Sequence, residues 1–235
     1  MNRVFGSSNK NADGGDHWMS VSDLMAGLMM VFLFVSISLM RDAMIERDKI
    51  KEVAVTYQKN QQAIYNALLD EFEQDLDQWG AEIDRDDLSF NFKSPDVLFA
   101  NGRSDLTAEF EVILDDFFPR YLGVMEGFKS SIQEIRIEGH TSSRWNHGSS
   151  DEEAYFNNMR LSQSRTRAVL QYAVEIPSVR MNQYDWVKGH VAAVGYSSSK
   201  LVLKADGTED ENKSRRVSFR VLTNADTQIR KILGG

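Results

Sequence analysis

One acidic residue, Asp23, stands at the start of the most apolar part of this sequence. Residues 24–40 carry no charge, and about 20 apolar residues in a helix span the hydrocarbon core of a bilayer. An ionised carboxylate inside such a helix is expensive, so it is kept mainly where it pairs, lines water or carries protons. Alternatively, Asp23 caps a helix that begins at Leu24. Spacing alone leaves both interpretations open.

Other reactive groups give no recognisable catalytic or metal-binding pattern. The chain has no cysteine, which excludes thiolate metal sites and structural disulfides. The spacing of His140, His147 and Asp151 fits no established metal signature. No Ser/His/Asp arrangement or glycine-rich phosphate motif is evident. We therefore expect no metal, no cofactor and no enzyme, and proton transfer by Asp23 is the one chemistry that the residues support.

Length and charge narrow the class of protein further. The 235 residues suit one folded domain with accessory segments. The net charge of −8 and the mean hydropathy of −0.41 describe a chain that is mostly water-soluble and not basic. Direct binding to nucleic acid is therefore disfavoured.

The apolar run predicts an uncleaved membrane anchor over residues 18–41, with Trp18 as an interfacial aromatic residue. A cleaved signal peptide would need a basic start and a small-residue exit site, which this segment lacks. A buried helix of a soluble domain remains the alternative. Basic residues after the span favour a cytoplasmic domain, but interleaved acidic residues weaken that rule. The charges leave the sidedness open.

A polar tail precedes the predicted membrane span, and a helical linker follows it. Residues 1–17 are polar and predict a flexible tail, and residues 42–87 predict a helical linker. The linker carries one apolar stripe at helical spacing, which we expect to pair with a second copy of the chain: Ile64, Leu68, Phe72, Leu76 and Trp79.

From residue 88 onward the pattern predicts strand, helix, strand, helix, strand, strand. Thr107 is a candidate N-cap for the first of these helices, and Gly139 ends the second strand. The expected fold class is α+β: an α/β sandwich over residues 88–222, with its helices on one face of the sheet and a C-terminal tail over residues 223–235.

Three separated segments resemble the OmpA-like peptidoglycan-binding family. Residues 135–141 read IRIEGHT, residues 158–165 read NMRLSQSR and residues 212–219 read NKSRRVSF. The family pattern is Gly-His-Thr-Asp at a strand end, Asn-x-x-Leu-Ser-x-x-Arg on a helix, and Asn-x-x-Arg-Arg-Val. All three occur in the right order and in the right predicted elements.

The resemblance implies a pocket for the diaminopimelate of a peptidoglycan stem peptide. Arg165 matches the arginine that binds a carboxylate of this ligand, and the other matching positions are Thr141, Ser142, Asn158 and Leu161. Ser142 replaces the family aspartate and cannot neutralise an ammonium group, although Asp151 could substitute. The alternative for Arg165 is a solvated helix arginine or an ion pair within the domain, and His140 is expected to be a packing residue.

The membrane segment combined with this domain resembles the MotB stator family. There an aspartate opens a helix rich in methionine and phenylalanine, as Asp23 does here, and carries the ion. The resemblance implies that Asp23 is the ion carrier, that the N-terminus is cytoplasmic and that the folded domain is periplasmic. Alternatives are a flagellar stator subunit and a passive wall anchor.

Within this group, the sequence of residues 20–29 (SVSDLMAGLM) and the Gly-His-Thr-Ser variant are more similar to the ZorB family of the Zorya anti-phage defence system than to flagellar proteins. That resemblance implies a homodimer in the inner membrane. Its two membrane helices would pass through a pentameric ring of MotA-like ZorA subunits. It also implies proton flow through that ring and anchoring to peptidoglycan.

Overall fold

The computed structural model describes residues 15–93, 95–100 and 102–224, with the backbone alone described at 15–20, 95 and 96. The predicted tails fall mostly outside these residues, as does the side chain of Trp18. The chain divides into two compact units, with the boundary between Glu52 and Val53.

The first unit contains most of a long helix, α1 (Gly15–Phe72). Among the described residues, α1 is the one helix that is long and apolar enough to cross a membrane. This statement rests on its length and composition, and its mean hydropathy is 2.1 over its most apolar stretch. Leu24 and Phe32 are each 73% exposed, as a lipid-facing helix requires. The helix begins eight residues before Asp23, so Asp23 does not cap it.

The second unit is an α+β domain, which confirms the predicted class. Its helices are the end of α1, α2 (Leu76–Trp79), α3 (Pro95–Leu98), α4 (Ala108–Glu126), α5 (Asp151–Glu175), α6 (Pro177–Asn182), α7 (Tyr184–His190) and α8 (Glu211–Ser214). Its strands are β1 (Ala81–Asp84), β2 (Ser89–Lys93), β3 (Ile132–His140), β4 (Val191–Ser197) and β5 (Arg216–Thr223).

The strands form one sheet in the order β1-β2-β5-β3-β4. β3 and β4 are parallel, and the other neighbouring pairs are antiparallel. Parallel strands need a long crossover, and α5, α6 and α7 provide it between β3 and β4. The predicted elements from residue 88 onward are present. The patterns missed β1, α3, α6, α7 and α8, which have only four to seven residues each.

Alternation along each strand gives the sheet two different faces. One face is apolar and packs on α4 and α5: Phe117 of α4 lies 5.0 Å from both Phe92 and Phe219 between ring centroids. The opposite face is polar, and there the Ser218 hydroxyl donates to the Asn91 side-chain oxygen over 2.5 Å. The predicted placement of these helices on one face is therefore correct.

The apolar stripe of the predicted linker belongs to the core of this domain. Ile64, Leu68 and Phe72 are fully buried, and Leu76 and Trp79 pack against the same core. Our expectation that this stripe pairs with a second copy is wrong, because the domain itself buries the stripe. The second compact unit begins at Val53, so it includes most of the predicted linker. Strand β1 also lies within the predicted linker.

Candidate ligand-binding cavity

The three sequence motifs meet at one cavity of about 430 Å³. All five residues predicted to bind a ligand line it: Thr141, Ser142, Asn158, Leu161 and Arg165. The wall also contains residues that the sequence did not single out for binding: Gly102, Arg144, Trp145, Asn146, Glu211 and Arg215. The cavity therefore joins the end of β3, the following loop, helix α5 and the segment before β5.

Helix α5 carries three of the five residues that the sequence predicted. It starts at a capping box, in which the Ser150 hydroxyl accepts from the backbone nitrogen of Glu153 and the Glu153 carboxylate accepts from that of Ser150. Asn158, Leu161 and Arg165 follow at positions i, i+3 and i+7, so they share one face of the helix. The capping box explains why the helix begins at Asp151.

Asn158 connects α5 to the loop after β3. It is buried, and its Nδ2 donates to the carbonyl oxygens of Ser142 and Arg144 over 3.1 and 3.0 Å. A buried amide that donates to backbone carbonyls on two residues of a loop fixes that loop in place. Asn158 therefore shapes the wall of the cavity.

The Arg165 side chain extends from α5 to the segment before α4. It is only 9% exposed, its Nε donates to the carbonyl oxygen of Arg103 over 2.9 Å, and its guanidinium carbon lies 4.7 Å from the centroid of the Phe99 ring. Stacking on an aromatic face favours a guanidinium. The alternative of a solvated surface arginine is wrong, since the group is buried and oriented.

Thr141 and Ser142 form the wall at the end of β3. The backbone nitrogen of Thr141 donates to the carbonyl of Ser197 over 2.9 Å, which continues the pairing of β3 with β4. The Thr141 hydroxyl oxygen is buried and has no hydrogen-bond partner among the described residues. A buried polar atom of this kind is uncommon and calls for an explanation such as a ligand.

Among the described residues of the wall, charge comes from three arginines and one glutamate. Arg144, Arg165 and Arg215 contribute guanidinium groups, and Glu211 contributes the carboxylate. Glu211 Oε1 lies 3.2 Å from Nε of Arg144. Asp151, which the sequence suggested as the acidic group, is not part of this wall. The arrangement suits a ligand that is anionic but also carries a positive group.

Two comparisons bear on this architecture. Residues 98–216 match the OmpA family. Over 234 residues the chain is 54% identical to the Zorya protein ZorB of Escherichia coli, and the alignment covers 99% of both chains. The chain belongs to the ZorB family. Its fold class is thus α+β, with a long apolar N-terminal helix followed by an OmpA-family domain.

Solved structures similar to this ZorB-family chain include a putative MotB-like protein from Desulfovibrio vulgaris. It shares 20% identity at a TM-score of 0.47, covering 75% of this chain and 94% of that chain. The periplasmic domain of Helicobacter pylori MotB shares 16% identity at a TM-score of 0.43, covering 65% and 88%.

His140 lies next to the cavity in sequence but not in its wall. In this ZorB-family chain it is buried on the polar face of the sheet and stacks on Tyr196, with ring centroids 5.3 Å apart. Its Nε2 lies 3.4 Å from a carboxylate oxygen of Glu138. Burial lowers the pKa of His140, and Glu138 offsets this only in part. Among the described residues no His, Asp or Glu cluster is arranged to hold a metal ion.

Proposed function

We propose that this ZorB-family protein is the wall-anchored B subunit of a proton-driven inner-membrane motor used in defence against phage. The observation that carries the proposal is the cavity, in which five residues matched to a peptidoglycan-binding pattern lie together. The second support is the apolar helix α1, which contains Asp23. Anchoring and ion transport are separable, and each has its own test.

The ligand of the cavity is a peptidoglycan stem peptide. Arg165 holds a carboxylate of diaminopimelate, because a buried and oriented guanidinium binds a carboxylate through paired hydrogen bonds. Asn158 holds the loop that carries Ser142, and Leu161 supplies an apolar contact for the aliphatic chain of the ligand. The Thr141 hydroxyl, which is buried and has no hydrogen-bond partner among the described residues, supplies a further polar contact.

Sedimentation with purified peptidoglycan tests the anchor. The full chain in mild detergent should co-sediment, and Arg165→Ala should lose most of this binding. Arg165→Lys keeps the positive charge but loses the planar fork, so it should bind at an intermediate level. Arg180→Ala, which removes an exposed arginine on α6, is the matched control. Equal sedimentation of all four proteins contradicts the assignment of this cavity.

Asp23 is the proposed ion carrier. Its position more than two turns inside α1 leaves it with no capping role, and a carboxylate on a membrane helix is retained mainly for pairing or proton transfer. The motor requires a dimer, a pentameric ring of ZorA subunits, a cytoplasmic N-terminus and a periplasmic OmpA-family domain. A proton is the favoured ion, because the segment around Asp23 shows no set of oxygen ligands for sodium in its sequence.

The substitution Asp23→Asn tests the motor, because it keeps the side-chain shape and removes the titratable group. Cells that express the complete system with Asp23→Asn should lose protection against phage, while the protein still co-purifies with its membrane partner. Asp23→Glu keeps the titratable group and should retain more protection. Full protection by Asp23→Asn would leave a passive wall anchor as the function.

A further inference from the structure

The described wall of the cavity combines several arginines with a single acidic residue. Among the described residues of its wall are three arginines and one glutamate, Glu211. We propose that Glu211 holds the free ammonium group of the stem-peptide residue whose carboxylate is held by Arg165. This inference rests on the proposed anchoring function, and it names the group that makes the site selective for a zwitterionic side chain.

Electrostatics favours such a group. An ammonium that entered a cavity lined by Arg144, Arg165 and Arg215 would be repelled at every wall without an opposing charge. Ser142 stands where the family pattern has an aspartate and is neutral, and it is buried. Its carbonyl oxygen already accepts from Asn158 over 3.1 Å. The counter-charge must therefore come from another element.

Glu211 is held in position by its own short helix. The Asp210 carboxylate accepts from the backbone nitrogen of Lys213 over 3.2 Å and caps α8. The carbonyl oxygen of Glu211 accepts from Nε of Arg215 over 3.2 Å. These contacts use backbone and neighbouring groups, while the Glu211 carboxylate itself pairs with Arg144, a second residue of the wall.

The Glu211 carboxylate can bind a ligand ammonium while its present partner, Arg144, stays near the solvent. Its ion pair with Arg144 joins side chains that are 40% and 80% exposed, and pairs in contact with solvent contribute little to stability. A ligand ammonium can therefore approach the carboxylate without breaking a buried bond.

Two other carboxylates are less suitable. Asp151 is the first residue of α5 and lies outside the wall. Glu209 also lies outside it, and both of its oxygens accept from Ser143, from the backbone nitrogen over 3.0 Å and from the hydroxyl over 2.5 Å. Glu209 holds the loop, and Glu211 faces the ligand.

Three synthetic tripeptides separate the two charges of the ligand. Each has the sequence L-Ala-γ-D-Glu-X, where X is meso-diaminopimelate, 2-aminopimelate without the distal amine, or lysine without the distal carboxylate. Calorimetry with the full chain in detergent should show the tightest binding for diaminopimelate. Glu211→Gln should weaken that binding about tenfold, as expected for a lost hydrogen bond between charged groups, and should leave 2-aminopimelate binding unchanged.

The outcomes distinguish this inference from the anchoring function. If the unaltered protein binds none of the tripeptides, the proposed function itself fails. If it binds diaminopimelate and Glu211→Gln binds equally well, or weakens both ligands equally, the role of Glu211 is wrong. Asp151→Asn is the matched control, since it removes the rival carboxylate. It should bind diaminopimelate as the unaltered protein does, and a selective loss in this control would transfer the role to Asp151.

Discussion

Gly195 of β4 lies directly beneath Gln163 of α5. A Cβ atom added to this glycine would come within 2.5 Å of the backbone nitrogen of Gln163 and 2.7 Å of the Ser162 hydroxyl. Gly139 of β3 has the same relation to the Ser162 carbonyl oxygen, at 2.8 Å. Two neighbouring strands therefore let α5 approach the sheet closely, and α5 carries Asn158, Leu161 and Arg165 into the cavity.

Gly195→Ala should both destabilise the domain and weaken stem-peptide binding. The added methyl group meets backbone, which cannot move aside as a flexible side chain can, and overpacking of this kind costs about 1–3 kcal/mol. Thermal unfolding of the full chain, followed by tryptophan fluorescence, measures the first effect, and calorimetry with the diaminopimelate tripeptide measures the second. Gly123→Ala on α4 is the control, because its Cβ would meet nothing within 4 Å. An unchanged Gly195→Ala protein would show that α5 can shift without loss.

Leu68→Ala should destabilise the OmpA-family domain by about 2–5 kcal/mol, the usual cost of truncating a buried leucine. Leu68 is fully buried, and Leu68→Glu would place an unpaired charge there. We expect the alanine protein to unfold at lower temperature and the glutamate protein to be cleaved rapidly by protease in the domain. The exposed Val55, on the same helix, gives the control Val55→Ala. A folded domain with altered oligomeric state in Leu68→Glu would restore the linker-pairing hypothesis.

Arg120→Ala should loosen the contact between the end of α1 and α4. The Arg120 guanidinium donates to the Glu71 carboxylate over 2.7 Å, the Asp75 carboxylate over 3.0 Å and the Asp116 carboxylate over 2.9 Å. It also lies 4.7 Å from the centroid of the Phe72 ring. We expect a loss of about 2 kcal/mol, in the range for hydrogen bonds to charged groups.

Arg120→Lys distinguishes geometry from charge in this network. Lysine keeps the charge but cannot donate to three carboxylates in the fixed directions of a guanidinium. The melting temperature of Arg120→Lys should therefore lie between those of the native protein and Arg120→Ala. If lysine restores the native value in full, the charge alone accounts for the contribution.

His140 should make the domain less stable in mild acid. Its pKa in the folded state is lowered, chiefly by burial, while the unfolded chain titrates near the ordinary value of about 6.5. Between these two pKa values the unfolded chain binds more protons, so the free energy of unfolding falls as the pH falls below about 7. The slope from one such group is at most about 1.4 kcal/mol per pH unit.

Melting temperatures measured between pH 7.5 and pH 5 check this effect. His140→Gln removes the titrating group, so its melting temperature should fall less over that interval than that of the native protein. The comparison is of slopes, because the substitution also removes the stacking on Tyr196. Parallel curves for the two proteins would mean that His140 does not contribute to the acid sensitivity.

The sequence by itself determined the elements that follow local rules. Residues 24–40 are apolar over the length of a membrane span. The Thr107 hydroxyl accepts from the backbone nitrogen of Phe110, as a predicted N-cap should. Alternation of apolar and polar residues indicated β3. The matched motifs also identified five residues of the cavity wall. Such motifs are short and continuous, so their spacing on one helix or strand end is enough to align them.

The tertiary structure alone decided which partner each surface received. The stripe that includes Leu68 required an apolar neighbour, but its spacing is the same whether that neighbour is a second chain or the domain's own sheet. In the same way, the sequence did not show which acidic residue lies in the cavity wall. Glu211 stands 69 residues after Ser142 and reaches the wall only because β5 pairs with β3. Contacts between residues so far apart depend on strand pairing across the whole sheet, which no local pattern encodes.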